Sequence, residues 1–187
     1  MLSVIIPTFQ SEHALVPTLA ALVAGATAGL VCEVRVADGG SHDDTAVVAD
    51  AAGCDFTIVP GPLGLRLKAA AGSARGAWLL FLRPGTVLDP QWTEETRRFV
   101  EQPLPDGRAA VFRRNAPARS ALREMLSLLT VALGARPRPE QGLLISKRFY
   151  DALGGHSVNA ADPETELIRR IGRRRIATFA ASACSAG

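Results

Sequence analysis

Aromatic residues are scarce, making up 5% of the 187 positions. Leu, Val, Ile and Ala must therefore fill the core. A basic surface interleaved with aromatics, the mark of a nucleic-acid module, is missing. Lysine is nearly absent, with Lys68 and Lys147 alone. The remaining basic residues are arginines, which fits either a coding bias or bidentate phosphate recognition. Cys32, Cys54 and Cys184 form no CxxC pair, and neither they nor His13, His42 and His156 stand at metal-ligand spacing, which argues against a zinc site. An odd number of thiols points to a reducing, cytoplasmic compartment. No apolar run reaches the ~18 residues needed to cross a bilayer, and no charged leader precedes the first apolar run. A G-x-S-x-G nucleophile elbow, a Walker loop and a G-x-G-x-x-G turn are all missing.

What is present is ordinary for a globular chain: 48% apolar residues, 21% charged residues and a net charge of +3. The length predicts one domain, residues 1–187, able to bury roughly 70% of its unfolded surface. Short β-branched or apolar runs alternate with helical patterns. Strands are predicted at Leu2 to Pro7, Glu33 to Ala37, Phe56 to Val59, Ala77 to Leu82, Ala109 to Arg114, Gly142 to Ser146 and Ile176 to Ala180. Helices are predicted at Glu12 to Ala28, Asp43 to Ala52, Leu65 to Arg75, Pro90 to Glu101, Arg119 to Leu133, Arg148 to Leu153 and Pro163 to Gly172. The alternation predicts an α/β fold with a parallel sheet covered on both faces. Ligands of such sheets bind beyond the carboxyl ends of the strands. Pro7-Thr8-Phe9, Asp38-Gly39-Gly40 and Arg83-Pro84-Gly85 all lie at those ends.

Several residues there have two readings. Asp38 can accept hydrogen bonds from a ribose or a base, with Gly39 allowing close backbone approach. Equally, it can belong to a plain strand-to-helix turn in which Ser41 caps the next helix. Arg83 is either a phosphate ligand or a solvated loop residue. Asp162 and Glu164 are either proton acceptors or the cap and first turn of a helix that starts with Pro163. His156, after two glycines, either touches substrate or sits on the surface. The stripe Leu122, Met125, Leu126, Leu129 and Leu133 is core, a homodimer interface or a peripheral membrane contact.

The order of five segments adds to this. These are Ser3 to Phe9 (Ser-Val-Ile-Ile-Pro-Thr-Phe), Val36 to Asp43 (Val-Ala-Asp-Gly-Gly-Ser-His-Asp), Ala74 to Leu82, Glu140 to Gly155, and Pro163 to Arg170. Together they resemble family 2 glycosyltransferases of the GT-A fold, over roughly the whole chain. The resemblance implies a Rossmann-like, mostly parallel sheet, with a nucleotide-binding half at 1–102 and an acceptor-side half at 103–187. It implies a nucleotide-sugar donor and an acceptor of unknown identity, polysaccharide or lipid-linked. Pro7, Thr8 and Phe9 would line the base pocket, and Asp38 and Gly39 would meet the nucleoside. Arg66 and Lys68 would pass near the nucleotide, Arg83 would meet the diphosphate, and Glu164, with Asp162 as rival, would be the base of an inverting transfer. Such enzymes usually hold Mn or Mg on an acidic motif. This chain has Arg83-Pro84-Gly85 at that place, which leaves two expectations: a transferase that works without the cation, or a catalytically inactive scaffold that keeps the fold.

Overall fold

A computed structural model of the chain describes residues 1–102, 107–114 and 137–185. The apolar stripe at 119–133 lies outside them. Among the described residues eight strands form one sheet: β1 (Leu2–Thr8), β2 (Val31–Asp38), β3 (Asp55–Ile58), β4 (Trp78–Phe81), β5 (Thr86–Leu88), β6 (Ala109–Arg114), β7 (Leu143–Ser146) and β8 (Ile176–Ser185). Their spatial order is β3-β2-β1-β4-β7-β6-β8-β5. The first four are parallel to one another, as predicted. The second half is mixed, because β7 runs antiparallel to both β4 and β6, and β5 antiparallel to β8.

The apolar run of β1 makes it the centre of the sheet, with all seven residues buried. Side chains alternate across the pleat. Val4 and Ile6 join a core with Leu15, Leu22, Trp92, Phe99 and Phe112. Ile5 joins a second core with Leu67, Leu79, Phe81, Tyr150 and Leu167. Helices α1 (Glu12–Thr27), α2 (Thr45–Ala51) and α4 (Trp92–Glu101) supply the first face. Helices α3 (Leu63–Ser73), α5 (Lys147–Ala152) and α6 (Pro163–Ile171) supply the second. The chain leaves β1 towards β2 and β3, then returns through α3 to place β4 on the other side of β1. The direction of winding thus reverses between β1 and β4, and a crevice opens at their carboxyl ends.

Three expectations change. The helix predicted from Pro90 begins at Trp92, because Asp89 makes a turn first: its Oδ1 accepts Gln91 N at 2.9 Å and its carbonyl accepts Trp92 N at 2.9 Å. β5 was not predicted, and β8 continues five residues past Ala180 to pair with it. Ser41 does not cap α2: the N-cap is Asp44, without a side-chain cap bond, and Asp43 just before it accepts Thr45 N at 3.2 Å.

At the opposite end of the sheet from the crevice, buried Glu33 fastens three elements. Its Oε1 accepts Ser3 Oγ at 2.5 Å and Arg75 N at 2.6 Å. Its Oε2 accepts Arg75 Nε at 2.9 Å and Arg35 Nη1 at 3.2 Å. Burial alone would raise its pKa, but these donors win and hold it at about 2. The unfolded chain therefore binds more protons than the folded one in acid, so this stabilisation is complete above the ordinary glutamate pKa and disappears between about pH 5 and pH 2. Glu33→Gln is expected to lower the unfolding free energy at pH 7 by about 2–3 kcal/mol and to flatten the acid limb. Urea midpoints across that pH range check it; an unchanged limb would refute the assignment.

Candidate active site

The crevice at the end of β1 is a cleft of about 360 Å³. Pro7, Thr8 and Phe9 form its floor and one wall; Arg66 from α3, and Arg83 and Glu164 from the other side, complete it. The sequence separates these residues by as many as 157 positions, from Pro7 to Glu164, and the reversal of winding brings them together. Phe9 is 60% exposed at the rim, an aromatic face open to solvent.

The loop after β2 is held by its own side chains. Asp38 has no exposed surface. Its Oδ1 accepts Thr8 Oγ1 at 2.7 Å and Ser41 Oγ at 2.6 Å, while its Oδ2 accepts Gly40 N at 2.7 Å and Ser41 N at 2.6 Å. Burial raises its pKa, but these four donors outweigh it and leave the carboxyl below the ordinary aspartate range. Asp38 is not among the residues that line the cleft; its oxygens are engaged by Thr8 of β1 and by Gly40 and Ser41 of the loop. Gln10 fastens this loop to β1. Its backbone sits at φ 50, unusual for a residue with a side chain. Its N donates to Ser41 Oγ at 2.8 Å, and its Oε1 accepts His42 N at 2.8 Å and Asp43 N at 3.2 Å. Nothing in the sequence pattern marked Gln10 for this role.

Arg66 lies across the loop. Its Nη1 donates to the Thr8 carbonyl at 2.6 Å. Burial lowers its pKa and the charge of Asp38 partly offsets that. Gly39 lies close beneath it: a Cβ there would stand 2.8 Å from Arg66 Nη1 and 3.3 Å from the Phe9 ring, so the guanidinium would have to shift. Across the cleft, Arg83 is bonded to two carboxylates. Its Nε and Nη2 donate to Glu164 Oε2 at 2.9 and 2.5 Å, and its Nη1 donates to Glu140 Oε1 at 3.0 Å. The turn it begins is tight, with Gly85 at φ 85 and its N bonded to the Ala14 carbonyl of α1 at 2.7 Å. Glu164 is buried; burial, together with the charges of Asp162 and Glu140, raises its pKa against the opposing pull of Arg83.

The profile described as glycosyl transferase family 2 matches residues 3–156. The chain belongs to glycosyl transferase family 2. No curated protein matches its sequence. Solved structures share its GT-A fold. Glucosyl-3-phosphoglycerate synthase from Mycobacterium tuberculosis, in complex with Mn2+, UDP and glucosyl-3-phosphoglycerate, has a TM-score of 0.68 at 19% identity, over 95% of this chain and 68% of that one. S. aureus TarS 1-349 has a TM-score of 0.73 at 16% identity, over 98% of this chain and 60% of that one.

Within this family 2 chain, three more candidate residues fall outside the cleft besides Asp38 and Gly39. Lys68 is exposed on α3 and does not line it. Asp162 caps α6, its Oδ1 accepting Thr165 N at 3.0 Å, and borders a neighbouring hollow with Glu140, Arg114 and Arg138. His156 is not a surface residue and does not line the cleft: it is 1% exposed, with its Nδ1 2.9 Å from Tyr150 Oη and its ring edge-on to Phe81. Burial, with some help from Arg170, pushes its pKa down to about 3 and keeps it neutral.

Proposed function

We propose that the chain transfers a sugar from a nucleoside-diphosphate sugar to an acceptor hydroxyl, with inversion and without a resident cation. The observation that carries this reading is the convergence of Phe9, two guanidinium groups and one buried carboxylate on the crevice where a doubly wound sheet binds its ligand. Phe9 offers a face to the base. Arg66 and Arg83 offer positive charge to the diphosphate. Glu164 Oε2 takes the acceptor's proton as the acceptor oxygen bonds to the anomeric carbon. The bond from that carbon to the diphosphate oxygen breaks, and its electron pair leaves with the diphosphate. One displacement from the face opposite the leaving group inverts the centre.

The neighbour from M. tuberculosis was solved with Mn2+. Here the residues do not fit such an ion. On the expected correspondence, Gly85 stands at the position of the usual metal-ligating Asp, and neither it nor Pro84 brings a side-chain oxygen. Arg83 brings a cation of its own to the same turn, held by Glu140 and Glu164. Among the described residues no three His, Cys, Asp or Glu side chains come together as a ligand set. The guanidinium then offsets the charge of the leaving diphosphate.

Isothermal titration with UDP and GDP, with and without Mn2+, tests the reading. Micromolar-range binding that changes little with metal is expected; no binding of either would count heavily against it. A second reading, a non-catalytic scaffold, draws on the mutual neutralisation of Arg83 and Glu164. Slow release of free sugar from a nucleotide sugar, abolished in Glu164→Gln, would reject the scaffold. No described helix is long and apolar enough to cross a membrane.

A further inference from the structure

One oxygen of the base of the proposed reaction, Glu164 Oε2, is already occupied. Arg83 places two of its nitrogens on Glu164 Oε2 and the third on Glu140 Oε1. A carboxylate bonded in this way accepts a proton less readily than it would without the cation, because an adjacent cation stabilises its charged form. The exposure of the pair is unequal: the Arg83 side chain is 37% exposed and the Glu164 side chain 9%. Both border the cleft, but a ligand entering it meets the guanidinium more readily than the carboxylate.

We propose that the donor releases the base: the diphosphate of a bound nucleotide sugar draws the Arg83 guanidinium off Glu164, and the uncovered carboxylate then receives the acceptor's proton. This rests on the donor reading above. Two anions compete for one guanidinium. The diphosphate carries more charge than a carboxylate and presents several oxygens to the planar fork, so it is the stronger bidentate partner. Glu140, more than half exposed, holds the other edge of the fork and lets it turn about that contact.

The loss of Arg83 leaves Glu164 among groups that favour protonation. Asp162 at the start of α6 and Glu140 in the 3-10 turn Pro139–Gln141 act on it as like charges; among the described residues Arg83, after β4, is the cation that acts on it. Burial and two like charges then act without Arg83 to oppose them, and the carboxylate becomes a better proton acceptor only while a donor is bound. The order of binding follows, donor first and acceptor second. The departing diphosphate takes Arg83 with it, and on release the guanidinium returns to silence the base.

The test is a carboxyl titration on the whole chain. Glutamate side-chain carboxyls are labelled with 13C, Glu164 is assigned from Glu164→Gln, and its titration is followed by NMR alone and with saturating nucleoside diphosphate. The nucleotide is chosen beforehand by calorimetry among UDP, GDP, dTDP, ADP and CDP. Bound nucleotide should raise the proton affinity of Glu164 at least about tenfold. Arg83→Gln should show the raised affinity without nucleotide, and Arg83→Lys should restore part of the donor dependence. The wild-type comparison needs neither variant to fold. Nucleotide that binds without moving the Glu164 titration overturns the release mechanism and leaves the donor reading standing. Failure of all five nucleotides to bind removes the donor reading, and the release mechanism with it.

Discussion

Glu164→Gln is expected to cut sugar transfer by roughly 10²–10⁴-fold while leaving nucleoside diphosphate affinity within a few-fold of the parent, the range expected for loss of a general base. Glutamine has the same shape, and its amide oxygen can still accept from Arg83, so the wall of the cleft survives. What it lacks is a site for the acceptor's proton. Asp162→Asn is the control that separates the two carboxylates. Asn caps a helix about as well as Asp, so its bond from Thr165 N persists and activity should fall only a few-fold. The pH profile adds a second reading. Burial raises the Glu164 pKa, so the acid limb of kcat/KM should lie above the ordinary glutamate range. Steady-state kinetics of diphosphate release, with calorimetry on each variant, decide the matter. A fully active Glu164→Gln beside an inactive Asp162→Asn would move the base to Asp162.

The parts of this site visible in the sequence were those set by strand endings. Pro7, Asp38-Gly39-Gly40 and Arg83-Pro84-Gly85 each stop an apolar run, and three run-stopping turns on parallel strands must meet on one edge of the sheet. Side-chain partners were not legible, because they depend on contacts far along the chain. Arg83 finds Glu140 at 57 positions and Glu164 at 81. Lys68 shows a reading the sequence could have refused. It stands two residues after Arg66 on one helix, about 200° around the axis, so both could not face the cleft. β5 and the end of β8 escaped notice because three residues carry no period, and the Ala/Ser-rich stretch Ala180 to Ser185 has weak strand character until β6 and β5 flank it. His156 was misjudged because the two glycines before it suggested an open loop, whereas both turn the chain through positive φ and fold the imidazole under Tyr150.

Asp38→Ala should cost at least about 3 kcal/mol of stability and abolish measurable nucleotide binding together. Four donors converge on this carboxylate: two hydroxyls, from Thr8 and Ser41, and two amides, from Gly40 and Ser41. Alanine leaves all four without this acceptor, Thr8 fully buried and Gly40 and Ser41 partly so. Each bond to a charged acceptor contributes about 1.5–3 kcal/mol, and the four share one loop, so their losses do not add in full. Asp38→Asn keeps one oxygen but turns an NH2 towards either the amides or the hydroxyls, and should cost nearly as much against the amides. The pKa direction fixes the pH dependence. The folded value is depressed, so the stabilisation is complete above the ordinary aspartate pKa and disappears as pH falls through the lower folded value. A residue that only gripped a ligand would behave otherwise, losing affinity in Asp38→Ala with an unfolding free energy within about 0.5 kcal/mol of the parent. Denaturant midpoints and nucleotide calorimetry on the same preparations separate the two, because the Thr8 carbonyl that orients Arg66 and the Ser41 hydroxyl that holds Gln10 both depend on this one carboxylate staying in place.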